Sequence, residues 1–339
     1  MRSKQKTLWL LISGLCLSGC SRPSRTAQLF SYDANDTFIS SLFTNIESKL
    51  SGYIDYKSYD GKRKQTIQND DFISAIDDKS TSVVVMNTVD RFASSAIIEK
   101  GETKNVPIIF VNREPLMSDL LATDWSQENC FYVGANSSYE GILQGDIASE
   151  IFDGPSSYAH SVYDKNGDGI VQVAILKGEE GHQDSEQRSE NCIAELRTLG
   201  YQVEILQISY CNWERETAKK MMESIYSDNI ELLFANNDDM ALGAIDYLKT
   251  ISSLNSNLPF EREFFPIIGV DGTTQAMEAI QDGTLSGTVL NDGEKQAEVI
   301  FDIIKNILDG ATLPDYDSNI EITKNAYHVL GEKITKNTH

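Results

Sequence analysis

The sequence is short of positive charge. Its 339 residues carry 29 Lys and Arg against 51 Asp and Glu, a formal net charge of −22. Nucleic-acid binding needs clustered Lys and Arg to displace counterions, and docking on anionic lipid needs a basic patch. An acid excess of this size argues against both. Proline is scarce too, at 7 residues, while 40% of the chain is hydrophobic, which is globular rather than disordered composition. Of five cysteines, Cys16 lies in the N-terminal apolar run and Cys20 ends it, leaving Cys130, Cys192 and Cys211 without C-x-x-C spacing. At most one disulfide can form among these three, so the chain is no disulfide scaffold, and they read as small apolar core residues. G-x-S-x-G, H-E-x-x-H and P-loop motifs are all absent. What remains is an acidic protein facing neutral or cationic small molecules, or a divalent metal.

Long hydrophobic runs are also missing, save one. Arg2, Lys4 and Lys6 precede an apolar stretch from Leu8 to Leu17, too short to span a bilayer and built like an export signal. It closes on Leu17-Ser18-Gly19-Cys20, which resembles the bacterial lipobox, whose cysteine becomes the lipidated first residue. The expectation is a signal peptide over 1–19, a lipid on Cys20 and a polar tether over 20–27. Losing three basic residues takes the net charge from −22 to −25.

Beyond the tether, short apolar runs alternate with amphipathic segments. Strands are predicted at Gln28–Tyr32, Val83–Met86, Val106–Val111, Val171–Leu176, Val203–Ile208, Glu231–Ala235, Ile267–Val270 and Leu285–Leu290. Helical spacing marks Phe38, Leu42, Phe43, Ile46 and Leu50, and again Ile300, Ile303, Ile304 and Leu308. Strands that alternate with helices, and are continuously apolar, predict an α/β fold of parallel sheets covered on both faces. Ligands in such sheets bind beyond the carboxyl ends of the strands. Polar residues crowd those ends: Asn112-Arg113-Glu114-Pro115, Gly178 to Asp184 with Arg188, Asn236 to Asp239, Asp271-Gly272 and Asn291-Asp292. Each alone is an ordinary helix cap. Together, with a His and an Arg, they point to a site rich in hydrogen-bonding groups.

A second signal concerns metal. Asp164, Asn166, Asp168 and Gln172 place side-chain oxygens at loop positions one, three, five and nine, with the Ile170 carbonyl at seven and Gly169 at the sharp turn. This is most of an EF-hand calcium loop. Position twelve is Ile175, within a strand, so the loop is no EF-hand and the last carboxylate must come from elsewhere. The ligands are many, all oxygen and partly backbone, which favours Ca²⁺ over Mg²⁺.

With these motifs in order, the chain resembles the periplasmic glucose/galactose-binding proteins of ABC transport systems, which have the type I periplasmic-binding fold. The likeness runs from Phe30 to about Leu308 through Asp36-Thr37-Phe38, Asn112-Arg113-Glu114-Pro115, the Gly178–Arg188 loop, Trp213, Asn236-Asn237-Asp238, Gly269-Val270-Asp271 and Gly287 to Asp292. Thr37 and Gln183 depart from the usual Asn and Pro, and the region after Pro314 matches poorly. The resemblance implies two doubly wound lobes joined by a three-segment hinge, and no enzymatic activity. The first lobe would comprise 28–135 plus 291–320, the second 136–290 plus 321–339, with crossings near 134–136, 290–292 and 318–324. It implies that Asp36, Asn112, His182, Asp184, Arg188, Asn237, Asp271 and Asn291 bond sugar hydroxyls while Phe38 and Trp213 sandwich the ring. It also supplies Glu231 as the missing calcium ligand. The expected ligand is D-galactose or D-glucose, and the expected partner of this monomeric, exported lipoprotein is an ABC permease. The alternatives are a receptor feeding a chemotaxis or two-component signalling partner, or a secreted carbohydrate-active enzyme.

Overall fold

The computed structural model describes residues 25–252 and 258–337. Cys20 and the expected export signal lie outside the described residues. The strands are β1 (Thr26–Ser31), β2 (Asp55–Asp60), β3 (Thr81–Met86), β4 (Ile108–Val111) and β5 (Cys130–Ala135), followed by β6 (Ile170–Lys177), β7 (Gln202–Tyr210), β8 (Leu232–Ala235), β9 (Ile267–Ile268) and β10 (Gly287–Leu290). The chain closes with β11 (Ile320–Thr323), β12 (Ala326–Val329) and β13 (Glu332–Thr335). They form two sheets, ordered β11-β12-β5-β4-β3-β1-β2 and β13-β10-β9-β8-β6-β7. Pairing is parallel except for β11 with β12 and β13 with β10. Each predicted strand falls on an observed one. β2, β5 and β11–β13 are not among the predicted strands: β2, Asp-Tyr-Lys-Ser-Tyr-Asp, is a polar edge strand without an apolar run, whereas β5 is a buried apolar run that the pattern reading passed over.

Each sheet is covered on both faces, as continuous apolar strands require. In the first lobe, helices Thr37–Leu50 and Gly293–Asp309 pack Leu42, Ile46, Ile300 and Ile304 against one face. The opposite face meets Phe72, Ile97 and Ile98. In the second lobe, helices Ser137–Phe152 and Gln183–Thr198 share one face, where Gly141 and Gly145 let them touch. A Cβ on Gly141 would stand 2.7 Å from the Arg188 carbonyl. That close approach brings the sides of two helices, and the charges on them, under the cleft. Cys130, Cys192 and Cys211 are buried free thiols.

The chain passes between the lobes where β5 leads into helix Ser137–Phe152 and where β10 leads into helix Gly293–Asp309. The third crossing requires a correction. Residues 321–339 are expected in the second lobe, yet β11 and β12 form a hairpin whose β12 pairs in parallel with Tyr132–Ala135 of the first sheet. The crossing is therefore at Leu330–Gly331, and only β13 joins the second sheet. The hairpin turn is Lys324-Asn325, with Lys324 at φ 55°, and lacks the Asn-Gly or Asp-Gly pair that would have marked it.

Candidate functional site

The carboxyl ends of both sheets face one another, and the capping residues there have unspent groups. Asp36 caps helix Thr37–Leu50 by accepting from the Ile39 N–H at 3.0 Å, and its other oxygen accepts from the Tyr32 hydroxyl at 2.6 Å. His182 caps helix Gln183–Thr198 through Nδ1, which accepts from the Asp184 N–H at 3.2 Å. That acceptor role leaves Nε2–H as a donor. Burial, with Arg113 and Arg188 nearby, holds the His182 pKa well below its usual value, so the ring is neutral. Asn237 caps helix Asp238–Ile251, keeping its amide NH₂ on the cleft side to donate to the Trp213 carbonyl at 3.3 Å.

All ten residues expected to hold the sugar line one interlobe cavity: Asp36, Phe38, Asn112, His182, Asp184, Arg188, Trp213, Asn237, Asp271 and Asn291. Tyr32, Ile39 and Arg113 line it as well. Tyr32 ends a predicted strand and Arg113 lies inside a quoted motif, so both were within reach of the sequence reading. Several positions need special backbone. Asn112 has φ 59°, Asn212 and Trp213 have φ 54° and 67°, and Asp271 has φ 125°, a region L-residues rarely enter. The indole lies against Gly178, where any Cβ would stand 2.2 Å from it. Glycine there is a condition for the wall Trp213 provides.

Arg188 is the electrostatic centre. Its Nε donates to Glu140 at 2.7 Å and its Nη1 to the Asn236 carbonyl at 2.8 Å, while Nη2 is buried without a partner, 3.8 Å from Asp184. Sequence reasoning missed Glu140, which sits fully buried on helix Ser137–Phe152 facing Arg188. A buried charge within an amphipathic helix offers no motif. Burial pushes the Glu140 carboxyl up to about 7 against the pull of Arg188. Burial likewise raises Asp36, Asp184 and, most of all, Asp271, which also feels Asp238.

The lobes are in contact. Thr37 donates to Asp239 at 2.6 Å, Arg63 to Glu214 at 2.5 Å and Arg113 to Glu179 at 2.6 Å, each across the cleft. In this closed arrangement the free volume is only about 30 Å³, room for roughly two waters. Polar groups reach towards one another at long range, Asn112 to Asp184 at 3.5 Å and Asn291 to Asp271 at 3.4 Å. Such contacts are weak. A ligand rich in hydroxyls would replace them with shorter ones, and admitting it requires the lobes to part.

The calcium-loop residues also gather. Asp164 accepts from the Gly167, Asp168 and Gly169 N–H groups, and Asp168 from Ile170 N–H and the Asn166 and Gln172 amides. Glu231 accepts from Lys165 N–H at 2.6 Å, from Gln172 N–H and from the Tyr158 hydroxyl. The acids do not form a bare carboxylate cluster: among the described residues no three His, Cys, Asp or Glu are placed to hold a metal. The donor set is instead mixed, with neutral amides and a backbone carbonyl. Gln172 Oε1 is buried there with no partner, which is what a cation-binding oxygen leaves when it is not bonded. In donor chemistry the residues fit Ca²⁺.

Two α/β lobes closing on a polar cleft at their strand ends define a hinged solute receptor. A family model of the periplasmic binding protein domain matches residues 28–312, and the chain belongs to that family, whose members bind solutes and are not enzymes. It is 33% identical over 285 residues to the D-galactose/methyl-galactoside binding periplasmic protein MglB of Haemophilus influenzae, covering 82% of this chain and 80% of that protein. It is 25% identical over 251 residues to the ribose import binding protein RbsB of Bacillus subtilis, covering 73% and 68%. Its fold matches that of an ABC transporter periplasmic solute binding protein from Actinobacillus succinogenes with bound D-allose, at TM-score 0.73 and 20% identity over 93% and 98% of the two chains. Among the described residues no helix is long and apolar enough to cross a membrane.

Proposed function

We propose that this chain is the extracytoplasmic sugar receptor of an ABC importer, anchored through a lipid on Cys20, and that its ligand is D-galactose or D-glucose. The observation that carries the reading is the cleft itself: planar Asp, Asn and Arg groups beside two aromatic side chains, one from each lobe, with Arg188 Nη2 buried and without a hydrogen bond. A pyranose hydroxyl both donates and accepts, so adjacent hydroxyl pairs suit planar carboxylate, amide and guanidinium groups. The C–H faces of the ring suit Phe38 and Trp213. Sugar contacts to both lobes exist only when the cleft is shut, so binding shifts the population to the closed form, the shape a membrane permease would read. In the second lobe, Asp164, Asn166, Asp168, Ile170, Gln172 and Glu231 would hold a structural Ca²⁺, which supplies charge and rigidity to the loop and no reaction.

Tryptophan fluorescence tests the ligand. Once the signal is removed, Trp125 and Trp213 are the remaining tryptophans, and Trp125 is bonded to Asn105 in the first lobe, on a residue that does not line the cleft. Galactose or glucose should change the emission, and Trp213→Ala should abolish the change and weaken binding roughly tenfold. Silence with both hexoses would refute the ligand assignment.

Acidity should matter as well. Hydroxyl donors favour the charged carboxylate, so bound sugar lowers the pKa values of Asp36, Asp184 and Asp271, which burial raises in the free protein. Affinity should then fall as the pH drops through those raised values, beginning above the usual carboxylate range near ~4. Binding titrations across a pH series would reveal it; affinity unchanged down to that range would remove these carboxylates from the site.

A further inference from the structure

Beside the hexose cavity lies a larger one. It encloses about 250 Å³ and is lined by Tyr32, Arg63, Val89 and Arg113 of the first lobe and Glu179, Asn212 and Trp213 of the second. Tyr32, Arg113 and Trp213 also wall the hexose cavity, so the two spaces share a boundary. Matching backbone shapes it from either side: Lys62-Arg63 after β2 and Asn212-Trp213 after β7 are both consecutive pairs at positive φ.

We propose that this vestibule is a second saccharide subsite, so that the protein binds hexose disaccharides with one ring in the cleft and the other beside it. The proposal rests on the hexose reading of the cleft. Its chemistry is that of a neutral polyol. Both guanidiniums already face carboxylates: Arg63 bonds Asp33 and Glu214, and Arg113 bonds Glu179 and the Val89 carbonyl while lying 4.1 Å over the Tyr32 ring. An anionic ligand would have to displace those partners, on a molecule of net charge −22. A sugar would not, since its hydroxyls can bond the free edges of the same ion pairs. Arg113 is 4% exposed, and its Nε is buried without a partner. Tyr32, Trp213 and Val89 offer the apolar surface that a ring's C–H face needs.

Calorimetric titration of the lipid-free mature protein with galactose, glucose, lactose, melibiose, cellobiose and gentiobiose tests this. At least one disaccharide should bind within about tenfold of the better monosaccharide. Val89→Trp, which fills the vestibule, should weaken that disaccharide more than roughly tenfold and leave the monosaccharide within about threefold. Arg63→Ala provides an independent arm if the tryptophan variant does not fold. It removes a hydroxyl partner and should lower the ratio of disaccharide to monosaccharide affinity roughly tenfold, a ratio from which any effect on closure common to both ligands cancels. Binding of monosaccharides with no disaccharide would overturn the subsite and leave the hexose reading standing. Binding of neither class would overturn the hexose reading beneath it.

Discussion

Replacing Arg188 with methionine is expected to abolish hexose binding and to cost about 3–5 kcal/mol of stability. Two separate consequences follow from one side chain. Towards the cleft, Nη2 is a buried donor without a hydrogen bond, and charged hydrogen bonds of the kind a ligand would give it contribute ~1.5–3 kcal/mol each, so affinity should fall roughly a hundredfold or more. Towards the core, Glu140 would keep its full burial and lose the guanidinium 2.7 Å away. An uncompensated carboxylate there must be protonated or unfold the helix pair around it. The two effects can be parted. Adding Glu140→Gln to Arg188→Met should recover much of the stability, because a neutral amide tolerates the site, and should recover none of the binding. Denaturant melts read the first quantity and sugar titrations the second. Hexose binding within about tenfold of the native protein in Arg188→Met would remove this residue from the site.

Chelation should have the other large effect. A metal that binds only the folded protein stabilises it by RT ln(1 + [L]/Kd), about 4 kcal/mol at a thousandfold excess over Kd. With EDTA the melting temperature should therefore drop, on the order of 10 °C, and re-added Ca²⁺ should restore it. The loop lies in the second lobe and shares no residue with the cleft lining, so sugar affinity should be largely retained. Glu231→Gln removes one carboxylate and should shrink the calcium-dependent shift. A melting temperature indifferent to chelator would dispose of the metal site.

The cleft was legible because its residues occupy positions fixed by topology. In a parallel sheet the residue after a strand must turn, must often cap the next helix, and lies where ligands bind, so three demands fall on the same few letters. Asp36 and Asn237 meet two of them at once, capping with one oxygen while the rest of the planar group faces the cavity. Glu140 was invisible for the opposite reason. Its partner is on another helix, and nothing in Tyr139-Glu140-Gly141 distinguishes a buried ion pair from a solvated acid. The final crossing was misplaced because β11 and β12 are four-residue strands joined by a turn without glycine. Which lobe they join is decided by a parallel pairing with β5, nearly two hundred residues earlier, that local pattern does not encode.

That long-range pairing bears on how the chain can fold. The first sheet needs β12, at Ala326–Val329, and the second needs β13, at Glu332–Thr335. Neither lobe is contiguous in sequence, and the strands that complete the two sheets sit side by side in the chain. The first sheet is completed by a pairing that spans nearly two hundred residues, Ala326–Val329 on Tyr132–Ala135, the kind of long-range contact that slows folding. Residues 326–335 complete both sheets, so removing that one segment would take a strand from each lobe at once.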